Sequence, residues 1–347
     1  MSDLLRATAP GKLILFGEYA VLHGGPALAT SVGVKAIAEI RPSMSNFDEI
    51  YIQNSNSLIK FRITQDGNLD WHTEPSKDTL IFSSLFSLLH ERNIWDIPKN
   101  STRIVLDSRD FFTLDKKKNL QKLGLGSSAG ICVALTGAIY KLIDIKPEFE
   151  TMIAAHQRFQ KEKGSGIDVA CSFNGGVISY SIDSQNSATV KELTWPKDLH
   201  VLPIWSGLSS STTKLLARLY AFKNQNRYDY ERYIEDLSAA SSYSVSQWEI
   251  GKTDMILKAI KNFSKSLKSL DNVAKIGIWS DVHQSLEKIA NKFGAIYKPS
   301  GSGGGDFGLA FTNDKSKLKR LSKAYIDEGF KLPKLELSVK GLQVEES

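Results

Sequence analysis

Apolar residues in this chain change their period several times, and each change marks an element. Leu13-Ile14-Leu15-Phe16 is an apolar run ending at Gly17-Glu18 and reads as a strand, and His23-Gly24-Gly25-Pro26 then reads as a turn. Residues 32–40 predict a second strand, and residues 51–52 and 58–63 predict more strands beyond a polar turn at 42–49. Between Thr79 and Arg92, Leu80, Ile81, Leu85, Leu88 and Leu89 recur at three to four residues, the period of a helix. Residues 103–106 again read as a strand. Residues 131–143 are apolar almost all round, which marks a helix buried between layers, and 152–162 predict another helix. Polar residues at 183–188 suggest a hairpin or a domain edge. From Ser211 onward the pattern is mainly helical, with long helices expected at 228–248, 254–270 and 279–293, and strands at 307–311 and 335–339. This mixed order predicts an α+β protein of two domains, residues 1–190 and 191–347.

Composition narrows the class. With 347 residues and 41% hydrophobic content, the chain has enough apolar surface for two ordinary cores. It holds no run of 18 apolar residues, and its first residues, MSDLLRATAPGK, lack the pattern of a signal peptide. A cytoplasmic protein without membrane contact is therefore expected. Cys132 and Cys171 have no ligand spacing and read as buried reduced thiols. The net charge of +6 is spread along the chain, which argues against a nucleic-acid partner. The one dense cluster, Lys116-Lys117-Lys118 with Lys122, is either a solvated loop or the neighbour of a small polyanion.

Three glycine-rich segments carry the candidate chemistry: Ala9-Pro10-Gly11-Lys12 running to Gly17-Glu18, Gly124-Leu125-Gly126-Ser127-Ser128-Ala129-Gly130, and Ser300-Gly301-Ser302-Gly303-Gly304-Gly305-Asp306. Without a Cβ, such turns let backbone N–H groups approach an anion closely. No GxxxxGK[ST] sequence occurs. Gly124, Gly126 and Ala129 reproduce GxGxxA, but that fingerprint needs a preceding strand, and residues 115–122 make a poor one. A nicotinamide cofactor is disfavoured. Phosphate held by a loop and the N-terminus of the helix that follows remains.

These segments, APGKLILFGEYAVLHGGPALA at 9–29, LGLGSSAG at 123–130 and SGSGGGDFGLAF at 300–311, resemble the GHMP kinases over essentially the whole chain. Within that superfamily, KGSGIDVA at 163–170, DSRDFF at 107–112 and Trp205-Ser206-Gly207 followed by Ser211-Thr212 are most similar to the phosphomevalonate kinases. The resemblance implies a two-domain fold, an N-terminal domain like ribosomal protein S5 domain 2 and a ferredoxin-like C-terminal domain, with the site between them. It implies ATP at Gly124, Leu125, Gly126, Ser127, Ser128 and Ala129, and Mg2+ at Ser128. Lys12 and Asp168 would flank the acceptor oxygen, and Ser165, Ser211, Thr212, Gly303, Gly304 and Gly305 would contact the substrate. Many relatives place a metal-binding glutamate about eleven residues before the aspartate, where this chain has Gln157.

The implied reaction converts phosphomevalonate and ATP to diphosphomevalonate and ADP. A kinase acting on a hydroxyl, such as a mevalonate kinase, is the alternative, and a catalytically silent ligand sensor is another of a different class. The partners implied are a small phosphorylated acid and ATP, with a homodimer left open. An alcohol acceptor needs a base, whereas a phosphate monoester, with a second pKa of about 6, is already ionised. Its difficulty is repulsion, about 4 kcal/mol per unit-charge pair at 4 Å in an effective dielectric of 20. Lys12, Lys163 and the 116–118 cluster are the candidate cations. Other residues have simpler readings: Ser211 and Thr212 as helix N-caps, His23 as a polar turn residue, Glu18 as a site or turn residue, and Asp306 as a support of its own loop.

Overall fold

In the computed structural model of the protein, which describes residues 4–346 except 65, 67, 77–78, 95–100, 115–119, 161–163, 184 and 186, the first strand is longer than its apolar run. β1 (Leu5–Phe16) pairs antiparallel with β2 (Ala27–Pro42), and its register shifts at Pro10/Gly11 and again between Ile14 and Phe16. Proline cannot donate to the ladder, so a bulge suits Pro10. Gly11 follows because there is no room for more: a Cβ there would lie 2.6 Å from Val34 Cγ2.

β2 organises the large sheet. Its residues 27–30 pair with β9 (Val177–Ile182), and its residues 37–42 pair with β6 (Thr102–Asp107). β10 (Ala188–Leu193) flanks β9, while β3 (Asp48–Ile52), β4 (Ser57–Ile63) and β5 (Leu69–Trp71) continue beyond β6. The β3–β6 pair is parallel, and the others named are antiparallel. β10 crosses position 190, and β14 (Gln343–Glu346) pairs with residues 5–8 of β1, so residues from the last third of the chain complete this sheet.

Helices α2 (Ser127–Leu142) and α4 (Ile167–Asn174) pack on β1 and β2, α3 (Phe149–Gln160) packs on both of them, and α1 (Thr79–Glu91) packs on α3. Every residue of α2 from Ala129 to Tyr140 is buried, as its unbroken apolar sequence requires. β7 (Phe112–Leu114) and β8 (Leu120–Lys122) form a separate hairpin ahead of α2. The segment expected to be a poor strand thus contributes a three-residue antiparallel arm, not the sheet strand a dinucleotide fingerprint requires. The Lys116-Lys117-Lys118 cluster lies outside the described residues.

A second, three-stranded antiparallel sheet has the order β11 (His200–Trp205), β13 (Phe307–Thr312), β12 (Ile296–Pro299). α5 (Thr212–Gln225) packs on α6 (Arg227–Ile250), and α6 packs on α7 (Thr253–Ala274). α7 and α8 (Asp281–Lys292) lie against β12, and α9 (Lys315–Asp327) lies against β11 and β13. Residues 335–339, expected as a strand, form only an isolated bridge between Leu337 and Val32. Ser338 has a φ of 60°, which breaks the extended path.

One apolar cluster joins both sheets. The Phe16 ring, at the end of β1, lies 6.3 Å from Trp248 of α6 and 6.1 Å from Phe263 of α7. The end of the first glycine-rich segment is therefore fixed by core packing from the other half of the chain. Among the described residues, no helix is long and apolar enough to cross a membrane.

Candidate active site

The three glycine segments converge on Lys12. Its backbone N–H donates to Leu125 O at 2.9 Å, so β1 is tied directly to the second segment. Its buried side chain places Nζ 3.2 Å from Oδ1 of Asp168, in the first turn of α4. Gly126, with φ of 84°, is the N-cap of α2. A Cβ on it would lie 3.1 Å from Lys12 Cγ and 3.2 Å from Cε, so the loop rests on the lysine stem.

Gly124 is more constrained. Its φ is 78°, and a Cβ would sit 2.2 Å from Asp306 Cγ. Asp306 accepts the Ser210 N–H at 3.1 Å, and burial raises its pKa to about 6 against the opposing effects of that hydrogen bond, Lys12 and Lys122. Second and third segments are thus in direct contact. Gly124→Ala is expected to destabilise the fold by about 1–3 kcal/mol, through strain and overpacking, and to weaken nucleotide binding. Urea unfolding and ADP titration measure both.

Ser127 is buried, and Ser128 Oγ lies 3.1 Å from Nε2 of His156 on α3. Burial lowers the His156 pKa to about 4, leaving the ring neutral at pH 7. The adjacent Gln157 uses its amide to donate to Gly164 O at 3.1 Å. The position expected to face the metal is therefore engaged elsewhere, and its neighbour meets Ser128 instead. Helical spacing alone could not reveal this, because the face of α3 that meets α2 is set by tertiary packing.

A cavity of about 350 Å³ opens beside Lys12. Asp168, Ser165, Glu18, Thr212 and Ser302 are among the residues that line it. The first turns of both α4 and α5 reach this cavity, through Gly166, Ile167 and Asp168 on one and Thr212 and Thr213 on the other. Ser211 does not line it; exposed, it caps α5 by accepting the Lys214 N–H at 3.5 Å. Thr212 Oγ1 donates to Ser302 Oγ at 3.2 Å.

Of the third segment, Gly301 and Ser302 line the cavity, whereas Gly303, Gly304 and Gly305, expected to contact the substrate, are not among its lining residues and pack against the α7–α8 connection and residues 208–210. A Cβ on Gly303 would lie 2.5 Å from Ile278 Cγ2, and the Gly304 N–H donates to Ile278 O at 2.9 Å. Gly305 O accepts from His283 Nε2 at 2.8 Å, so the imidazole carries its proton there, and Nδ1 accepts the Tyr297 hydroxyl at 2.7 Å. Lys163, a candidate cation, lies outside the described residues.

Burial lowers the His283 pKa from 6.5 to about 4. The unfolded chain takes up this proton near pH 6.5 and the folded one near 4, so the stability is full above 6.5 and drains away as pH falls through 4. The expected loss from this residue is about 3 kcal/mol. Chemical denaturation from pH 7 to 4 measures it, and His283→Asn should be less stable at pH 7 but fall less steeply.

First and third segments are stapled together. Ser300 Oγ donates to Ile14 O at 2.9 Å and accepts Ile14 N–H at 3.2 Å, and Tyr19 OH donates to Ser302 O at 2.7 Å. The fully buried Lys298 donates to Glu18 Oε1, which also accepts the Gly301 N–H at 3.3 Å. Burial raises the Glu18 pKa and lowers that of Lys298, each opposed by the other's charge. The sequence offered no signal for Lys298, which looks like any strand lysine. His23, read as a polar turn residue, shares a 2.8 Å hydrogen bond with Tyr230 OH.

Comparison with known proteins agrees with this geometry. The GHMP kinases N terminal domain matches residues 103–176. The chain is 26% identical to the phosphomevalonate kinase of Streptomyces sp. (strain CL190), covering 87% of this chain and 88% of that protein. It is 25% identical to the mevalonate kinase of Pyrococcus abyssi, covering 100% and 99%. Its fold matches the Streptococcus pneumoniae phosphomevalonate kinase solved with phosphomevalonate and AMPPNP, with a TM-score of 0.75, 20% identity and coverage of 96% and 99%. With the glycine segments, the buried lysine and the aspartate drawn together in this fold, the chain carries a match to the GHMP kinases N terminal domain at residues 103–176 and is similar over nearly its whole length to kinases of phosphomevalonate and of mevalonate.

Proposed function

We propose that the protein transfers the γ-phosphoryl group of ATP to phosphomevalonate, giving diphosphomevalonate and ADP in the mevalonate route to isoprenoids. The observation that carries this reading is the meeting of two helix N-termini and Lys12 at one cavity. Each N-terminus acts as roughly half a positive charge. The two acidic residues there are already engaged, Asp168 by Lys12 and Glu18 by Lys298. Such a cavity suits an acceptor with two anionic ends, a carboxylate and a phosphate, better than a neutral sugar. The Streptomyces and Streptococcus relatives bear the corresponding name.

In this reading an acceptor phosphate oxygen forms a bond to the γ-phosphorus, and the bond from that phosphorus to the β–γ bridging oxygen breaks as ADP leaves. The glycine loop from Gly124 to Gly126 and the first turn of α2, with Ser127 and Ser128, receive the ATP phosphates on their N–H groups. Lys12 offsets repulsion between the two anions, and Asp168 holds its ammonium in place. A divalent cation bound with ATP supplies further charge neutralisation. The donor set fits one held mainly by nucleotide: Ser128 offers a hydroxyl, and no group of three or more His, Cys, Asp or Glu that could hold a metal exists among the described residues.

A hydroxyl acceptor is the second reading. The partly exposed Asp168 carboxylate at the cavity favours it, as a base for an alcohol, and so does the P. abyssi relative. Following ADP release with ATP, Mg2+ and a panel of phosphomevalonate, mevalonate, galactose and homoserine tests the two. Turnover with phosphomevalonate is expected, and turnover confined to a non-phosphorylated acceptor overturns the proposal.

A further inference from the structure

We infer that His156 supplies a nitrogen ligand to the divalent cation that accompanies ATP at Ser128, an inference that rests on the reading of the α2 N-terminus as the nucleotide phosphate site. The separation of Ser128 Oγ and His156 Nε2 is 3.1 Å. Two ligand atoms at right angles, each about 2.1 Å from one octahedral ion, lie about 3.0 Å apart. The hydrogen bond in the empty pair therefore already has the spacing of one edge of a coordination shell. An ion bound by both atoms would replace this hydrogen bond, with the Ser128 hydroxyl proton turned away from the imidazole.

The imidazole is the group in direct contact with the Ser128 hydroxyl. Of its neighbours, Asp168 Oδ1 is held by Lys12 Nζ, Asp306 Oδ1 by the Ser210 N–H, and Gln157 is turned by its amide nitrogen toward Gly164 O, which leaves the second oxygen of each carboxylate and the amide oxygen of Gln157 as competing donors. His156 is buried yet is among the residues that line the cavity, as Asp168 is, while its Nε2 meets Ser128 Oγ. The positive end of α2 disfavours a bare cation, so the ion enters with the nucleotide, whose phosphates complete its shell. An imidazole nitrogen is a better partner for Mn2+ or Co2+ than for Mg2+, which favours oxygen. The chain should therefore be more tolerant of Co2+ than a site built from carboxylate and hydroxyl.

The test uses the full chain with Mn2+ and ADP, read by pulsed electron paramagnetic resonance. Nitrogen modulation of the Mn2+ signal is expected, and it should change when the protein is grown with 15N-histidine, which separates imidazole from adenine without any substitution. Co2+ and Mg2+ titrations of fluorescent ADP binding give a second readout. His156→Glu should lower the Co2+ to Mg2+ affinity ratio by about tenfold, consistent with the change from nitrogen to oxygen ligand. If ADP and Mn2+ bind but labelling leaves the signal unchanged, the ligand assignment is overturned and the nucleotide site stands. If ADP does not bind at all, the reading beneath it falls as well.

Discussion

Lys12→Met is expected to lower kcat with phosphomevalonate by about 10³-fold, and Asp168→Asn by no more than about 10²-fold. The order follows from the acceptor's charge. A phosphate monoester arrives ionised at pH 7, so removing a proton contributes little, while two polyanions still have to approach each other. Methionine keeps the aliphatic stem on which Gly126 rests and removes only the ammonium, whereas alanine would also loosen the glycine loop. Asparagine at 168 keeps an oxygen within reach of Lys12 Nζ, now 3.2 Å from the carboxylate. Single-turnover rates for both variants check this. Equal losses, or a much larger loss for Asp168→Asn, would point to a base and to a hydroxyl acceptor.

The largest loss of stability is expected at Lys298 and Glu18. Glu18→Gln should cost about 3–5 kcal/mol, because it strands the ammonium of a side chain with 0% exposure. Lys298→Met should cost a similar amount by stranding the carboxylate, whose Oε2 has no hydrogen-bond partner among the described residues. The double variant should recover part of either loss, since with both charges removed neither is left stranded, although a buried amide remains. A double-mutant cycle by urea unfolding gives the coupling, and additive losses would show that each residue acts alone. The double variant should still bind substrate less well, as Glu18 also holds the Gly301 N–H at the cavity wall.

The large elements were legible because their signals are local. Helices α1, α6 and α7 follow from apolar period, α2 from an unbroken apolar run, and the three glycine segments from composition. The apolar pattern of β1 starts only at Leu13, eight residues after the strand itself at Leu5, because Arg6, Thr8, Pro10, Gly11 and Lys12 interrupt it. α4, β11, β12 and α9 carry no clear local signal; the first two of these are short, and β12 is only Ile-Tyr-Lys-Pro. In the site, Lys12, Asp168 and Ser128 lay inside motifs. His156, His283 and Lys298 acquire their roles from partners on α2, at Gly305 and on the first segment, contacts that no spacing along the chain encodes.

The pairing of β1 with β14 also bears on how the protein is made. Leu5 faces Glu346 across that ladder, so β1 waits for a partner strand that is synthesised much later. Until then its outer edge offers unpaired backbone groups to any other nascent or misfolded chain. Folding yield, rather than catalysis, should be what suffers first when β14 is deleted or its pairing with β1 is blocked.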